Sequence, residues 1–266
     1  IDNYPGFEEG IDGFSLAEKM QQGAERFGAE TELAEVLSVD FSGEIKKIES
    51  SEGTFKAKTI IIATGAVPRE LGVPGEKDVP GEDKLSGRGV SYCATCDGMF
   101  YRNKTVMVIG GGNTAAADAM TLSRICEKVI LVHRRDSLRA TKVYHKQLEE
   151  TPNIEFYWNT TVSEFLYDKK LTGAKLHNVK TGEDTEISVD GAFISIGRKP
   201  SSELFEGILA MDEAGYIIAD ESTRTNIPGV FAIGDVRTKA LRQVVTAVAD
   251  GATASHYIEE YLAHQM

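Results

Sequence analysis

Thr105-Val106-Met107-Val108-Ile109-Gly110-Gly111-Gly112-Asn113-Thr114-Ala115 decides how the rest of the chain is read. Five strand-forming residues run into three glycines, and a stretch at 114–126 with helical character follows. A second apolar run at 129–132 completes a βαβ unit of about 30 residues, the size of a nucleotide-binding half. Gly110-x-Gly112-x-x-Ala115 fits the dinucleotide fingerprint in its required context, strand before and helix after. Gly110, Gly111 and Gly112 let backbone N–H groups approach a pyrophosphate, and the helix opening at Asn113 and Thr114 turns its positive end toward that charge. At the end of the second strand, where an acidic residue would hold the ribose 2′-hydroxyl of NAD, stand His133, Arg134 and Arg135, with Arg139 a turn later. Guanidinium pairs with phosphate in bidentate fashion, so this cluster predicts NADPH rather than NADH. The alternative, a solvated basic patch, sits awkwardly in so acidic a chain.

That acidity is a bound on partners. Lys and Arg total 29 against 41 Asp and Glu, a net charge of −12, which argues against a nucleic-acid partner. No apolar run approaches the ~18 residues of a membrane span, and a cytoplasmic protein is expected. Three cysteines permit no disulfide framework, but two form Cys93-Ala94-Thr95-Cys96, with Asp97-Gly98 directly after. Such a pair closes a reversible disulfide, and Asp97 is placed to give or take a thiol proton. A zinc site would need two further ligands. Cys126 and His133 are not spaced as a second pair, and His145, His177, His256 and His264 show no metal pattern, so no metal is expected. Cys126 reads as a packing residue.

On either side the chain has a different texture. Ser15 and Glu18 read as a capping box for a helix with Leu16, Met20, Ala24 and Phe27 on one stripe. Short strands are expected at 33–41, 45–50 and 54–58 as a meander, then a buried strand at 59–63 ending in Ala63-Thr64-Gly65. Residues 68–89 read as a linker. Further strands are expected at 154–158, 162–167, 174–179 and 192–196, and a last helix over 244–262. Phe231-Ala232-Ile233-Gly234-Asp235 is another strand running into a glycine, followed by Leu241-Arg242-Gln243-Val244 at the helix start. The carboxylate of Asp235 suits a ribityl or ribose hydroxyl, and the helix start suits an anionic ring, although a plain strand–loop–helix junction reads the same way. The fold class is α/β, two domains, the second inserted in the first.

Together these segments resemble the low-molecular-weight thioredoxin reductases. The resemblance rests on Asp2-Asn3-Tyr4-Pro5-Gly6, Ala63-Thr64-Gly65, Cys93 to Phe100, Gly110 to Ala115, His133 to Ala140, Pro228 to Asp235 and Leu241 to Val244, in order along the whole chain. It implies two Rossmann-like, three-layer ββα nucleotide-binding domains: an FAD-binding domain of residues 1–85 and 210–266, and an inserted NADP(H)-binding domain of 86–209 carrying the redox pair. It also implies FAD and NADPH as cofactors, thioredoxin as partner, and a homodimer. By position, Cys96 faces the flavin, Cys93 attacks the partner and Asp97 is the acid. Asn3, Thr64, Gly65, Gly234, Asp235, Arg242, Gln243 and Val244 fall to FAD, and Arg134, Arg135 and Arg139 to the 2′-phosphate. Glycine-bearing hinges are expected at 87–89 and 207–215.

Two departures stand out. The family begins with its own glycine-rich βαβ unit for the FAD pyrophosphate, and Gly6, Gly10 and Gly13 follow no strand. Residue 1 is Ile, so at least one such unit, about 30 residues or more, is expected upstream. Where the family has a glutamate near the nicotinamide, this chain has Ala117 followed by Asp118. Two rival readings are the flavoprotein reductase of a peroxiredoxin and a binding-only NADP(H) fragment.

Overall fold

The structure is a computed structural model and describes residues 1, 3–77, 85 and 87–265. Asp2 of the opening motif, and residues 78–84 and 86 of the expected linker with its 85/86 boundary, lie outside the described residues. The chain divides into two compact units, Ile1–Val67 with Arg198–Met266, and Pro68–Gly197 inserted between them. The sequence places the crossings later, at 85/86 and 209/210.

The outer unit begins with helix α1 (Gly13–Glu25). Its cap is Asp12, whose carboxylate accepts the amide of Ser15 at 2.9 Å, so Ser15 is a donor and not the expected cap. Of the expected stripe only Leu16 is buried, while Phe27 is 82% exposed. Strands β1 (Val36–Asp40), β2 (Lys46–Ser50) and β3 (Gly53–Ala57) form the antiparallel meander. Then come β4 (Ile60–Ile62) and β5 (Ala66–Pro68).

The inserted unit contains β6 (Val90–Ser91), α2 (Ala94–Asp97), β7 (Thr105–Ile109), α3 (Asn113–Ser123), β8 (Lys128–His133), α4 (Lys142–Glu149) and β9 (Ile154–Trp158). It continues with β10 (Thr160–Tyr167), β11 (Leu171–Asn178), β12 (Asp184–Ser188) and β13 (Gly191–Ile194). Five strands make a parallel sheet in the order β6-β13-β7-β8-β9. The other three make an antiparallel meander.

The apolar runs are continuous because this sheet is covered on both faces. Side chains alternate along a strand. Val106, Val108, Val129 and Leu131 therefore pack on the helix side with Ala115, Ala119 and Leu122 of α3. Met107, Ile109, Ile130 and Val132 pack on the other side with Val162, Phe165, Leu171 and Leu176 of the meander. Each of the larger of these side chains, from Val to Phe, contributes about 1.5–3 kcal/mol by leaving water. The result is helix, sheet and meander in three layers, with the β7–α3 glycine turn at the carboxyl end of the sheet.

The chain returns to the outer unit through β14 (Arg198–Pro200), which pairs with β5, so the two crossings form one short ribbon. There β15 (Val230–Ala232) pairs in parallel with β4, over a core of Phe41, Ile62, Phe205, Ile217 and Val236. The last helix, α5 (Val244–Ala263), closes the described chain.

Candidate active site

The β7–α3 turn is built around close approaches that exclude side chains. Gly110 lies at φ +152°, and a Cβ there would run into the Ser195 carbonyl oxygen and Ala115. A Cβ on Gly111 would strike the His133 ring, whereas Gly112 has open space around it. Gly111 also accepts the amides of Arg139 at 2.7 Å and Ala140 at 3.0 Å, which ties the segment after β8 to the turn. Asn113 accepts the amide of Thr141 at 2.8 Å.

Above the turn opens a cleft of about 680 Å³, lined by Gly110, Gly111, Gly112, Thr114, His133, Arg134 and Arg139 among others. Ser195, Ile196, Gly197 and Arg69 line it too, and the sequence did not single out any of these four. Arg134 and Arg139 are exposed and available to an anion. Arg135, grouped with them in the sequence, is not among the lining residues. His133 is buried, and its Nε2 has no hydrogen-bond partner among the described residues. Burial, reinforced by the Arg139, Arg135 and Arg134 charges, pushes its imidazole below the usual pKa, which favours the neutral ring. Open glycine amides at a helix start, three arginines and an orphaned ring nitrogen suit a dinucleotide carrying an additional phosphate. Where the sequence shows Ala117, the neighbouring Asp118 accepts the Ser195 hydroxyl at 2.6 Å.

Cys93 and Cys96 are joined as a disulfide, both partly buried, with Cα atoms 5.3 Å apart. Cys93 caps α2: its Sγ accepts the Cys96 amide at 3.2 Å and lies 3.5 Å from the Thr95 hydroxyl. Buried Ser91 donates to Asp97 at 2.6 Å and accepts the Cys93 amide at 3.1 Å, linking the carboxylate to the cysteine backbone. Nothing in the spacing announced Ser91. Cys126 is buried in the helix-side core, and burial pushes its thiol up to about 11, so it stays protonated.

In the outer unit, Gly65 and Gly234 take left-handed φ values of +73° and +68°. Thr64 donates its hydroxyl to the Ser201 carbonyl at 2.5 Å. The Asp235 carboxylate is partly exposed, 3.9 Å from Arg198. Arg242 stacks 4.0 Å over the Tyr216 ring and reaches the Asp235 carbonyl at 3.5 Å. Asn3 donates to the Gln243 side chain at 2.8 Å, and the Gln243 amide is held by Thr246 at 3.1 Å. Val244, first residue of α5, is 37% exposed. A partly exposed carboxylate beside a glycine turn and an open helix start fits the hydroxyl chain and electron-rich ring of a flavin. A second cleft in this unit, about 490 Å³ along residues 224–231, contains none of the residues expected to bind cofactor or do chemistry.

Residues 2–251 match the family model described as pyridine nucleotide-disulphide oxidoreductase. The chain is 47% identical over 265 residues to the thioredoxin reductase of Streptomyces clavuligerus, covering 99% of this chain and 80% of that protein. It is 44% identical over 263 residues to that of Listeria monocytogenes, covering 98% and 80%. Among solved structures, thioredoxin reductase from Streptococcus pyogenes superposes with a TM-score of 0.89 at 41% identity, covering 99% of this chain and 84% of that one.

Proposed function

The chain belongs to the thioredoxin reductases of the pyridine nucleotide-disulphide oxidoreductase family, and we propose from that premise how its residues share the work. The activity is NADPH-dependent reduction of thioredoxin disulfide by way of FAD and the Cys93–Cys96 pair. FAD, when bound, supplies the step from a hydride donor to a disulfide acceptor.

Arg134 and Arg139 hold the 2′-phosphate, and the amides after Gly110 hold the pyrophosphate. The neutral His133 offers one ring nitrogen toward the same ligand. Asp235 and the start of α5 at Arg242, Gln243 and Val244 hold the flavin, with Asn3, Thr64 and Gly65 supporting. Two electrons and two protons convert the disulfide to two thiols, and one thiolate then attacks the partner. Cys93 takes that role, because the Cys96 amide and Thr95 hydroxyl stabilise charge on its sulfur. Its attack on a thioredoxin disulfide releases one partner thiolate and leaves a mixed disulfide. Cys96 breaks that bond, releasing the second partner thiolate, and restores the Cys93–Cys96 disulfide. Asp97, held by Ser91, exchanges the proton.

One observation carries this division of labour: the disulfide that caps α2 stands in the same compact unit as a phosphate-suited cleft. The peroxiredoxin-reductase and binding-only readings have no comparable support, since the relatives matching this chain nearly end to end are thioredoxin reductases. We read the enzyme as a cytoplasmic homodimer on the family likeness; among the described residues no helix is long and apolar enough to cross a membrane. The flavin-loaded protein should bleach near 450 nm on anaerobic addition of NADPH and recover with oxidised thioredoxin. A flavin that NADPH bleaches but thioredoxin does not reoxidise would contradict the reading.

A further inference from the structure

Beneath the Gly234–Asp235 turn lies a cluster of three buried charges that the reaction outlined above does not use. Asp250, on α5, is 7% exposed, and Arg237, on the loop after the turn, is 2% exposed. The Asp250 Oδ2 accepts the Gly234 amide at 2.8 Å, the Arg237 Nε at 2.9 Å and the Lys239 Nζ at 2.8 Å, while Oδ1 takes a second Arg237 nitrogen at 2.8 Å. Arg237 also donates to the Ala219 and Thr238 carbonyls, and Lys239 to the Thr246 carbonyl. Burial pushes the Asp250 carboxyl up, but the bonds from Arg237, Lys239 and the Gly234 amide outweigh it and hold it at about 2. It is ionised at neutral pH.

Two cations therefore share one anion, leaving one unit of positive charge buried under the turn. Asp220 and Glu221 also act on Arg237, but both are exposed and water screens them. A hydrophobic replacement would build the same junction without the cost of desolvating three ions. The arrangement does two things such a core would not. It fixes the Gly234 amide, and so the turn bearing Asp235, to helix and loop through a single carboxylate. It also places excess positive charge in a low-dielectric interior, where charge acts over longer distances than in water.

We propose that Asp250, Arg237 and Lys239 are positioning residues for the flavin site, and that their excess charge favours the reduced flavin. The inference rests on the assignment of Asp235 and the α5 start to FAD. Two-electron reduction with uptake of one proton leaves the ring system with one negative charge, which a nearby net cation stabilises. NADPH supplies both electrons in the established activity.

The test is the flavin's two-electron reduction equilibrium, measured anaerobically against a reference dye in the flavin-loaded enzyme. Lys239→Met removes the excess charge and should lower the equilibrium constant about tenfold, some 30 mV for a two-electron couple. Asp250→Asn keeps an acceptor for the Gly234 amide but adds net positive charge, and should raise the constant by a similar factor. If Asp250→Asn alone does not fold, the double variant still decides, because it restores one net positive charge and should return the constant to within about threefold of the parent. A purely structural cluster predicts shifts of the same sign in both single variants and a larger one in the double. That pattern, or a Lys239→Met constant equal to the parent's, overturns the proposal. FAD content of Asp235→Ala is measured alongside, and retention as tight as in the parent would overturn the underlying flavin assignment instead.

Discussion

Replacing Cys93 by Ser should lower thioredoxin reduction by roughly three orders of magnitude or more, as loss of a nucleophile does elsewhere. Flavin reduction by NADPH should stay within a few-fold of the parent. The asymmetry follows from where the residues stand. Cys93 caps a four-residue helix, and its Sγ, bonded to the Cys96 sulfur, accepts the Cys96 amide and lies beside the Thr95 hydroxyl. None of the cleft-lining residues that suit the nucleotide is a cysteine. A serine hydroxyl keeps the cap but is not ionised near neutral pH, so the nucleophile is lost and the nucleotide site is not. Stopped-flow absorbance of the flavin beside a thioredoxin-coupled assay separates the two half-reactions. Substantial thioredoxin turnover by the Cys93→Ser protein would reject the dithiol relay.

Converting both Arg134 and Arg139 to Ala should raise the Michaelis constant for NADPH at least a hundredfold while leaving NADH nearly unaffected. A charge-assisted bond to phosphate is worth about 1.5–3 kcal/mol, and two of them correspond to about that factor or more. Both side chains line the cleft from exposed positions, so their loss leaves no buried charge unpaired. Arg135 serves as the control. It is adjacent in sequence and also exposed, but it is not among the residues lining the cleft, so Arg135→Ala should change the NADPH constant less than fivefold. Equal losses for NADPH and NADH in the double variant would place these arginines on the pyrophosphate instead.

The contrast between Arg134 and Arg135 shows where sequence reading stops. Period and composition located the cluster at the end of β8, but whether a side chain in the following turn faces the cleft depends on local backbone, which pattern does not encode. Strands β7 and β8 were legible because both faces are buried, so Val106 to Ile109 and Val129 to Val132 are unbroken apolar runs, whereas the two-residue β6 gave no signal. Helix α4 was not, since Lys142–Glu149 is only eight residues long and its apolar face is little more than Tyr144 and the buried Leu148. Strands β5 and β14, three residues each, are too short to carry a period. The cap of α1 was misplaced because Asp12 and Ser15 are both good capping residues, and only the observed bond shows which accepts.

The same limit applies to the site. Cys93, Cys96, Asp97 and the three glycines stand in short, contiguous motifs, so their neighbourhood is local. Ser91, Ser195 and Asp118 act through contacts that chain spacing does not signal; Ser195 meets Asp118 from 77 residues away. Asp250, Arg237 and Lys239 gather from one loop and one helix, and each alone reads as an ordinary charged residue.

The central claim is that electrons from NADPH reach the Cys93–Cys96 disulfide. Its most direct measurement is anaerobic alkylation of the flavin-loaded protein after an excess of NADPH over the two equivalents that flavin and disulfide together take up, followed by mass spectrometry of the peptide containing both cysteines. The account predicts a disulfide before NADPH, two alkylated sulfurs after it, and a disulfide again once oxidised thioredoxin is added, with Cys126 unchanged throughout. A Cys93–Cys96 disulfide that survives NADPH while the flavin is reduced would contradict it.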